Sequence, residues 1–311
     1  MKKLNIKILI AVFVGLVTLF VVSRLFRSPG LESNLKKTLV DVDTAAVTEV
    51  RIQPAKDRAN EIRLVKEGKN WQVATTRQKA LSDRGAVNSM LGVVRGMKIQ
   101  RMAARKKEKW ESFQVADNST HVTLLADGKA VADFHVGKTG TAQGAGYGSV
   151  YTYVRVSDER EVYAVEGFIE SHFNRVFNDW RNKAFLRLKG EDLTKITFVY
   201  PSDSGFVVMK KDSLWQVGNE KADVGKVSLF TSALGYKNLT DFDDAFVAPG
   251  AAPVVVRFEG KNGVLASVEA WKSGDHWTLK STEQNSVYFT AQPTALKDFL
   301  VGRRYFLPVV K

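Results

Sequence analysis

Three carboxylates stand close together in the second half of the chain, at Asp241, Asp243 and Asp244. Neighbouring carboxylates can act as general acid and general base when their surroundings separate their pKa values. The same groups could hold a cation weakly, or could simply be solvated. Because the segment from Thr240 to Ala245 is short, polar and typical of a turn, the sequence favours a solvated loop over a catalytic pair.

The triplet Gly137-Lys138-Thr139 resembles the end of a phosphate-binding loop. That loop requires a glycine five residues before the first glycine of the triplet, so that backbone amides can surround the phosphates. Ala132 occupies this position, and the preceding residues alternate as in a strand. We therefore interpret the triplet as the end of a strand, with Lys138 at the surface.

The chain offers little other recognisable chemistry. It has no cysteine, which excludes disulfides, thiolate zinc sites, iron–sulfur clusters and cysteine nucleophiles. Its four histidines show no metal-binding spacing, and no nucleophile elbow of the Gly-x-Ser-x-Gly type is present. We therefore expect no catalytic, cofactor-binding or metal-binding residue, no cofactor, and a protein that is not an enzyme.

Positive charge dominates the chain, with a formal net charge of +13 and a pI near 9.7. A basic cluster precedes Trp110 and consists of Lys98, Arg101, Arg105, Lys106, Lys107 and Lys109. Such a cluster can contact a membrane, an anionic lipid or glycan, or an acidic protein partner. Aromatic residues do not alternate with these cations, which argues against single-stranded nucleic acid. The alternative is a solvated connector between a helix and the following strands.

A glycine-rich segment, residues 140–148, surrounds Tyr147. Long loops of this kind often contact partners, and Tyr147 is therefore a candidate partner-contact residue. An insertion tolerated in a hairpin is an equally good interpretation.

Four residues near the middle of the chain combine aromatic and charged side chains: Asp179, Trp180, Arg181 and Lys183. An arginine beside a tryptophan can stack on the ring or pair with a carboxylate. Because these residues stand near the boundary between the two halves described below, we expect them to form contacts between the halves.

The N-terminal residues have the pattern of a membrane anchor. Three lysines precede an apolar run from Ile8 to Val22, which Leu25 and Phe26 extend to about the length that spans a bilayer. No small-residue cleavage site follows, so we expect a short tail at 1–7, a transmembrane signal-anchor at 8–26 and a linker at 27–46. This predicts a single-pass protein of a bacterial inner membrane, with a cytoplasmic N-terminus and a periplasmic or otherwise extracytoplasmic body.

The two halves of the remaining chain resemble each other. Residues 62–73 and 206–217 both read as strand, charged turn and strand, and both end in Trp-Gln-Val. Asp83 and Asp223 then stand where they can cap a helix, and further strands follow in each half. The predicted fold class is α+β, in which the transmembrane helix precedes two tandem diverged copies of a β-hairpin–helix–β-meander–helix unit, at 47–188 and 189–311.

Six short segments resemble an uncharacterised family, domain-of-unknown-function family 4340. They are Trp110–Val115, His121–Leu124, Phe134–Lys138, Tyr153–Arg155, Glu161–Tyr163 and Asp179–Lys183. The resemblance implies an anchored, exported protein, and some members are encoded near ABC-transporter components of the gliding-motility type. The family has no assigned catalytic residues, so the resemblance implies none here.

The expected function is that of a non-enzymatic, membrane-anchored accessory or scaffold subunit. The family resemblance implies an ABC-type transport complex as its assembly, with other membrane-protein subunits as partners. The alternative is a membrane-bound enzyme or binding protein that acts on an anionic glycan or lipid in a cleft between the two copies.

Overall fold

The computed structural model describes residues 13, 15–19, 36–141, 150–202, 204–298 and 300–308. The structure divides into two compact units, Met1–Trp180 and Arg181–Lys311. The boundary expected from the sequence, between 188 and 189, therefore falls inside the second unit. The reason is a short strand at Ala184–Arg187, which pairs with Tyr236–Asn238 of the second unit.

The first unit is built on one nine-stranded antiparallel sheet. Its strands are β1 (Glu49–Gln53), β2 (Ile62–Glu67), β3 (Asn70–Ala74), β4 (Lys79–Leu81), β5 (Ile99–Ala104), β6 (Thr120–Ala126), β7 (Lys129–Thr141), β8 (Val150–Val156) and β9 (Val162–Glu166). Their order in the sheet is β4-β3-β2-β1-β6-β7-β8-β9-β5. β5 follows β4 in sequence but joins the sheet beyond β9, so it is an edge strand.

Alternate residues of the central strands form the core of this unit. Val50 and Ile52 of β1 pair with Leu64 and Val122 of the neighbouring strands, and all four are fully buried. This is the period of two expected when one face of a strand packs inward. Truncating Ile52 or Leu64 to alanine costs ~2–5 kcal/mol.

One longer helix, α1 (Arg84–Arg95), packs on this core. The Asp83 side chain accepts a hydrogen bond from the Ala86 amide at 3.0 Å, which caps the first turn. The buried positions are Val87, Met90, Leu91 and Val94. The other α-helices of the unit are single turns: α2 (Trp110–Phe113), α3 (Glu170–Phe173) and α4 (Phe177–Trp180).

The second unit contains a two-stranded and an eight-stranded antiparallel sheet. The two-stranded sheet pairs β10 (Ala184–Arg187) with β15 (Tyr236–Asn238). The eight-stranded sheet contains β11 (Leu193–Val199), β12 (Phe206–Lys211), β13 (Leu214–Val217), β14 (Glu220–Lys221), β16 (Val254–Gly260), β17 (Gly263–Ser273), β18 (His276–Ser281) and β19 (Phe289–Ala291). Helix α5 (Val224–Gly235) begins after Asp223, which accepts from the Lys226 amide at 3.1 Å.

The large sheets of the two units share one order of strands. The second sheet runs β14-β13-β12-β11-β16-β17-β18-β19, which matches β4-β3-β2-β1-β6-β7-β8-β9 of the first. In each unit a capped helix follows the strand at this end of the sheet, β4 in the first unit and β14 in the second. The units differ after that helix, because β5 extends the large sheet whereas β15 pairs with β10.

The fold class predicted from the sequence, α+β with a helix closing each half, is wrong. The structure is mostly β, with large antiparallel sheets. At the end of the first unit, Gly167 adopts φ +95° and a single turn, α3, follows it where a closing helix was expected. At the end of the second, Pro293–Asp298 forms a 3-10 helix. Neither segment has the length or the regular apolar stripe of a packed helix.

The membrane prediction is corrected as well. In the described part of the chain, no helix is long and apolar enough to cross a bilayer. This stands against the signal-anchor and the single-pass inner-membrane location. Most of residues 1–35, including the tail and most of the 8–26 segment, lies outside the described residues.

Candidate functional site

The carboxylates of the 241–244 segment make structural contacts within the second unit. Asp244 accepts two hydrogen bonds from the Arg181 guanidinium, at 2.7 and 2.9 Å. Asp243 accepts one from the Thr278 hydroxyl at 3.0 Å. Arg181 also lies over the Phe242 ring, 3.6 Å from its centroid. Asp243 and Asp244 therefore hold the 241–244 segment through specific partners, while the side chains of Asp241 and Asp244 are exposed to solvent.

Gly137 is needed for packing, not for phosphate binding. It lies within β7, and a Cβ atom at this position would come within 2.2 Å of the Phe113 carbonyl oxygen. Only glycine allows β7 to approach the α2 turn this closely. Thr139, which also lies in β7, donates to a Glu170 carboxylate oxygen at 3.4 Å.

His121 and His135 lie side by side on β6 and β7, with ring centroids 4.6 Å apart. His121 Nε2 is 2.6 Å from Asp133 Oδ1, and His135 Nδ1 is 3.1 Å from Ser119 Oγ. Burial lowers the pKa of His135 to about 4, and the nearby charges of Arg155 and His121 act in the same direction. No group of residues able to hold a metal ion occurs among the described residues.

The basic cluster defined from the sequence lies along the sheet edge. Arg101 belongs to β5, and Lys107 and Lys109 to the 3-10 turn that follows it. All six cations of the cluster are exposed. Arg101 approaches the Tyr151 hydroxyl at 3.4 Å, and Lys107 lies 5.1 Å from the centroid of the Trp110 ring. Within the described residues, no carboxylate lies within 4.0 Å of any side-chain nitrogen of these six residues.

Of the other contact residues predicted from the sequence, the structure describes all but Tyr147. Tyr147 lies in residues 142–149, outside the described part of the chain. Trp180 is fully buried in the core of the first unit, and its carbonyl accepts from the Asp83 amide at 2.7 Å. Arg181 is bound to Asp244 in the second unit. A contact between the halves through Asp179 or Lys183 stays a prediction.

A cleft in the first unit was not predicted from the sequence. It has a volume of about 860 Å³ and lies at one end of the nine-stranded sheet, where β1, β2, β3, β4 and β6 begin or end. The loop after β1, the turn after β3, the segment before β6 and the α3–α4 segment form its walls. The polar side chains that line it are Lys56, Asp57, Asn60, Thr75, Arg77, Gln78, Glu111, Gln114, Asn118, Ser119, Thr120, Glu170, Asn174 and Arg175.

One chain of hydrogen bonds organises the floor of this cleft. Glu170 Oε1 accepts from Asn174 Nδ2 at 2.8 Å, and Asn174 Oδ1 accepts from the Thr120 hydroxyl at 2.6 Å. The Thr120 oxygen in turn accepts from the Ala55 amide at 3.2 Å. Thr139 donates to the second Glu170 oxygen, so two side chains bond this carboxylate directly, and Thr120 and Ala55 extend the chain of hydrogen bonds through Asn174. The floor is preorganised, which lowers the entropic cost of binding a ligand there.

The fold and site together define a class of β-rich protein with an exposed basic cluster and a polar cleft. The chain belongs to the family described as Domain of unknown function (DUF4340), whose model matches residues 71–241. This confirms the family resemblance drawn from the sequence motifs. No curated protein and no solved structure matches the chain.

Proposed function

We propose that this protein is a non-enzymatic accessory or scaffold subunit that docks on an acidic partner through the basic cluster. One observation carries the proposal: the six cations are exposed, and no described carboxylate lies within ion-pair distance of them. Their charge is therefore available to an external anion. Complementary charge steers encounter and sets the register of a complex.

The surroundings of the basic cluster support a protein partner. A shallow cavity of about 410 Å³ lies beside it, and its lining includes the cations Arg105, Lys106 and Lys109. The apolar residues Ala103, Ala104 and Phe113 line it as well. Apolar groups next to cations suit an acidic segment that also carries an apolar side chain.

The family resemblance suggests the assembly in which this docking takes place. It implies subunits of an ABC-type transport complex as partners, and a scaffold role requires no catalytic group on this chain. Two sheet units joined in one chain present several loops and strand edges, which suits a subunit that holds others together.

Copurification from the native cells tests the proposal. The full-length protein, isolated in mild detergent, is expected to bring down ABC-transporter subunits in stoichiometric amounts. Replacing Lys106, Lys107 and Lys109 together with glutamate is expected to reduce that recovery by about tenfold or more, because like charges then oppose each other.

The matched control reverses three exposed lysines of the second unit, Lys210, Lys211 and Lys261. It makes the same change in net charge and is expected to leave recovery unchanged. Recovery of the wild-type protein alone, or equal losses in both variants, would overturn the docking proposal.

A further inference from the structure

We infer that the cleft of the first unit binds an uncharged oligosaccharide. The inference goes beyond the proposed docking function, because none of the six cations of the basic cluster lines the cleft. A volume of about 860 Å³ lies within the range of about 300–1,000 Å³ found for small-molecule sites.

The charged side chains that line the cleft have a net charge of zero. They comprise three cations, Lys56, Arg77 and Arg175, and three carboxylates, Asp57, Glu111 and Glu170. None of the six takes part in an ion pair with a described residue. A site for phosphate or another anion would concentrate one sign of charge. The mixture present here favours a ligand that is polar but uncharged.

The remaining polar groups suit hydroxyls. The lining includes the amides of Asn60, Gln78, Gln114, Asn118 and Asn174. Each amide offers both donors and an acceptor, and each carboxylate offers only acceptors. A sugar hydroxyl both donates and accepts, so a ligand with many hydroxyls satisfies such a lining better than an amine or a carboxylate does.

Glu170 is the best-defined anchor in this lining. Asn174 and Thr139 each occupy one of its oxygens, which fixes the carboxylate while leaving further lone pairs for a ligand. A hydrogen bond from a hydroxyl to a fixed charged acceptor is stronger than one to a neutral group.

An apolar wall completes the site. Val176 and Phe177 line the cleft, and Val176 is 66% exposed. The carbon–hydrogen face of a sugar ring can pack against such side chains, as apolar groups do in most ligand pockets. An extended peptide is less well suited, because peptide binding by strand addition needs a free sheet edge and this cleft lies at the strand ends.

Binding to a printed array of neutral and anionic oligosaccharides tests the inference. The full-length protein is expected to retain at least one neutral oligosaccharide, and calorimetry with that compound gives its Kd. Gln78→Ala removes one exposed lining group and Glu111→Gln removes the charge of a second, and neither side chain makes a hydrogen bond to a described residue. This double variant is expected to bind about tenfold more weakly, which corresponds to the loss of one or two hydrogen bonds.

A second variant, Glu170→Gln, keeps an oxygen acceptor for Asn174 and removes the charge, and it is also expected to weaken binding. The matched control, Gln100→Ala with Glu191→Gln, changes exposed residues outside the cleft and is expected to bind normally. No retention of any neutral oligosaccharide by the folded protein would overturn the inference. So would stronger binding of anionic oligosaccharides, or equal binding by cleft and control variants.

The docking proposal and the oligosaccharide proposal can be contradicted independently of each other. Loss of oligosaccharide binding in the cleft variants with normal copurification of transporter subunits would leave the docking proposal intact. The lysine variant of the basic cluster is expected to bind the oligosaccharide as the wild-type protein does.

Discussion

The guanidinium group of Arg155 lies over the indole ring of Trp110, with 3.7 Å between the Arg155 Cζ atom and the ring centroid. Arg155 is 1% exposed and donates to the Val115 carbonyl at 2.9 Å and to Asp117 at 3.1 Å. The Trp110 indole donates to the Arg160 carbonyl at 2.9 Å. These contacts hold the segment between the basic cluster and the cleft against β8. Both residues belong to the motifs that indicated the family.

Arg155→Lys is expected to lower the free energy of unfolding by about 2–4 kcal/mol. Lysine keeps the charge but loses the planar fork that stacks on Trp110 and serves several acceptors, which leaves buried carbonyls without donors. Urea denaturation at neutral pH measures the change. The same substitution at the exposed Arg257 is expected to have almost no effect. Equal denaturation midpoints for the Arg155 variant and the wild type would contradict the structural role assigned to the stack.

The stability of the protein is expected to fall as the pH is lowered from about 7.5 to about 5. The unfolded chain protonates an ordinary histidine near pH 6.5, whereas His135 in the folded protein has a pKa of about 4. Between these values the unfolded state binds more protons, so its free energy falls relative to the folded state. The loss by pH 5 is on the order of 2 kcal/mol. Denaturation curves at both pH values give the difference.

The His135→Gln variant provides the control for this pH effect. Glutamine can still bond Ser119 but does not titrate, so the variant is expected to show a smaller drop in stability over the same pH range. His172, whose pKa is also lowered by burial, contributes in the same direction and remains in the variant. An unchanged pH profile in the variant would show that His135 is not the group responsible.

Gly137→Ala is expected to destabilise the first unit by several kcal/mol. The new methyl group would overlap the Phe113 carbonyl, and β7 would have to move away from α2. Gly92→Ala is the matched control, because nothing lies within 4 Å of a Cβ at that position in helix α1. There the change is expected to stabilise the protein by about 0.5–1 kcal/mol, since alanine is the better helix former. Thermal denaturation of both variants compares them directly.

Local patterns in the sequence predicted several elements correctly. The helix caps predicted at Asp83 and Asp223 are confirmed in α1 and α5. The Asp-Gly pair at 127–128, a strong local signal for a hairpin turn, lies between β6 and β7, and both of its residues adopt positive φ. Each of these signals lies within a few residues, which is why sequence alone sufficed.

Such local patterns could not predict pairing between strands that are far apart in the sequence. The segment that contains β5 carries the basic cluster, and the sequence offered a membrane or partner contact or a solvated connector for it, not a strand. It is a strand only because β9, about sixty residues later, offers a partner edge. The cleft was missed for the same reason. Its hydrogen-bonded floor joins Ala55, Thr120, Thr139 and Asn174, and no local motif marks residues so far apart.

The position of β5 at the end of the nine-stranded sheet has a consequence for self-association. Residues 37–39 bond to the backbone at the beginning of β5, and the remainder of this edge strand has backbone amides and carbonyls that can pair with the same strand of a second molecule. Two copies approaching through β5 would bring two basic clusters together, and the repulsion opposes that pairing. An acidic partner bound at the cluster would remove the repulsion but also cover the edge. The cations of the basic cluster are therefore expected to oppose association of the protein through this edge of its sheet.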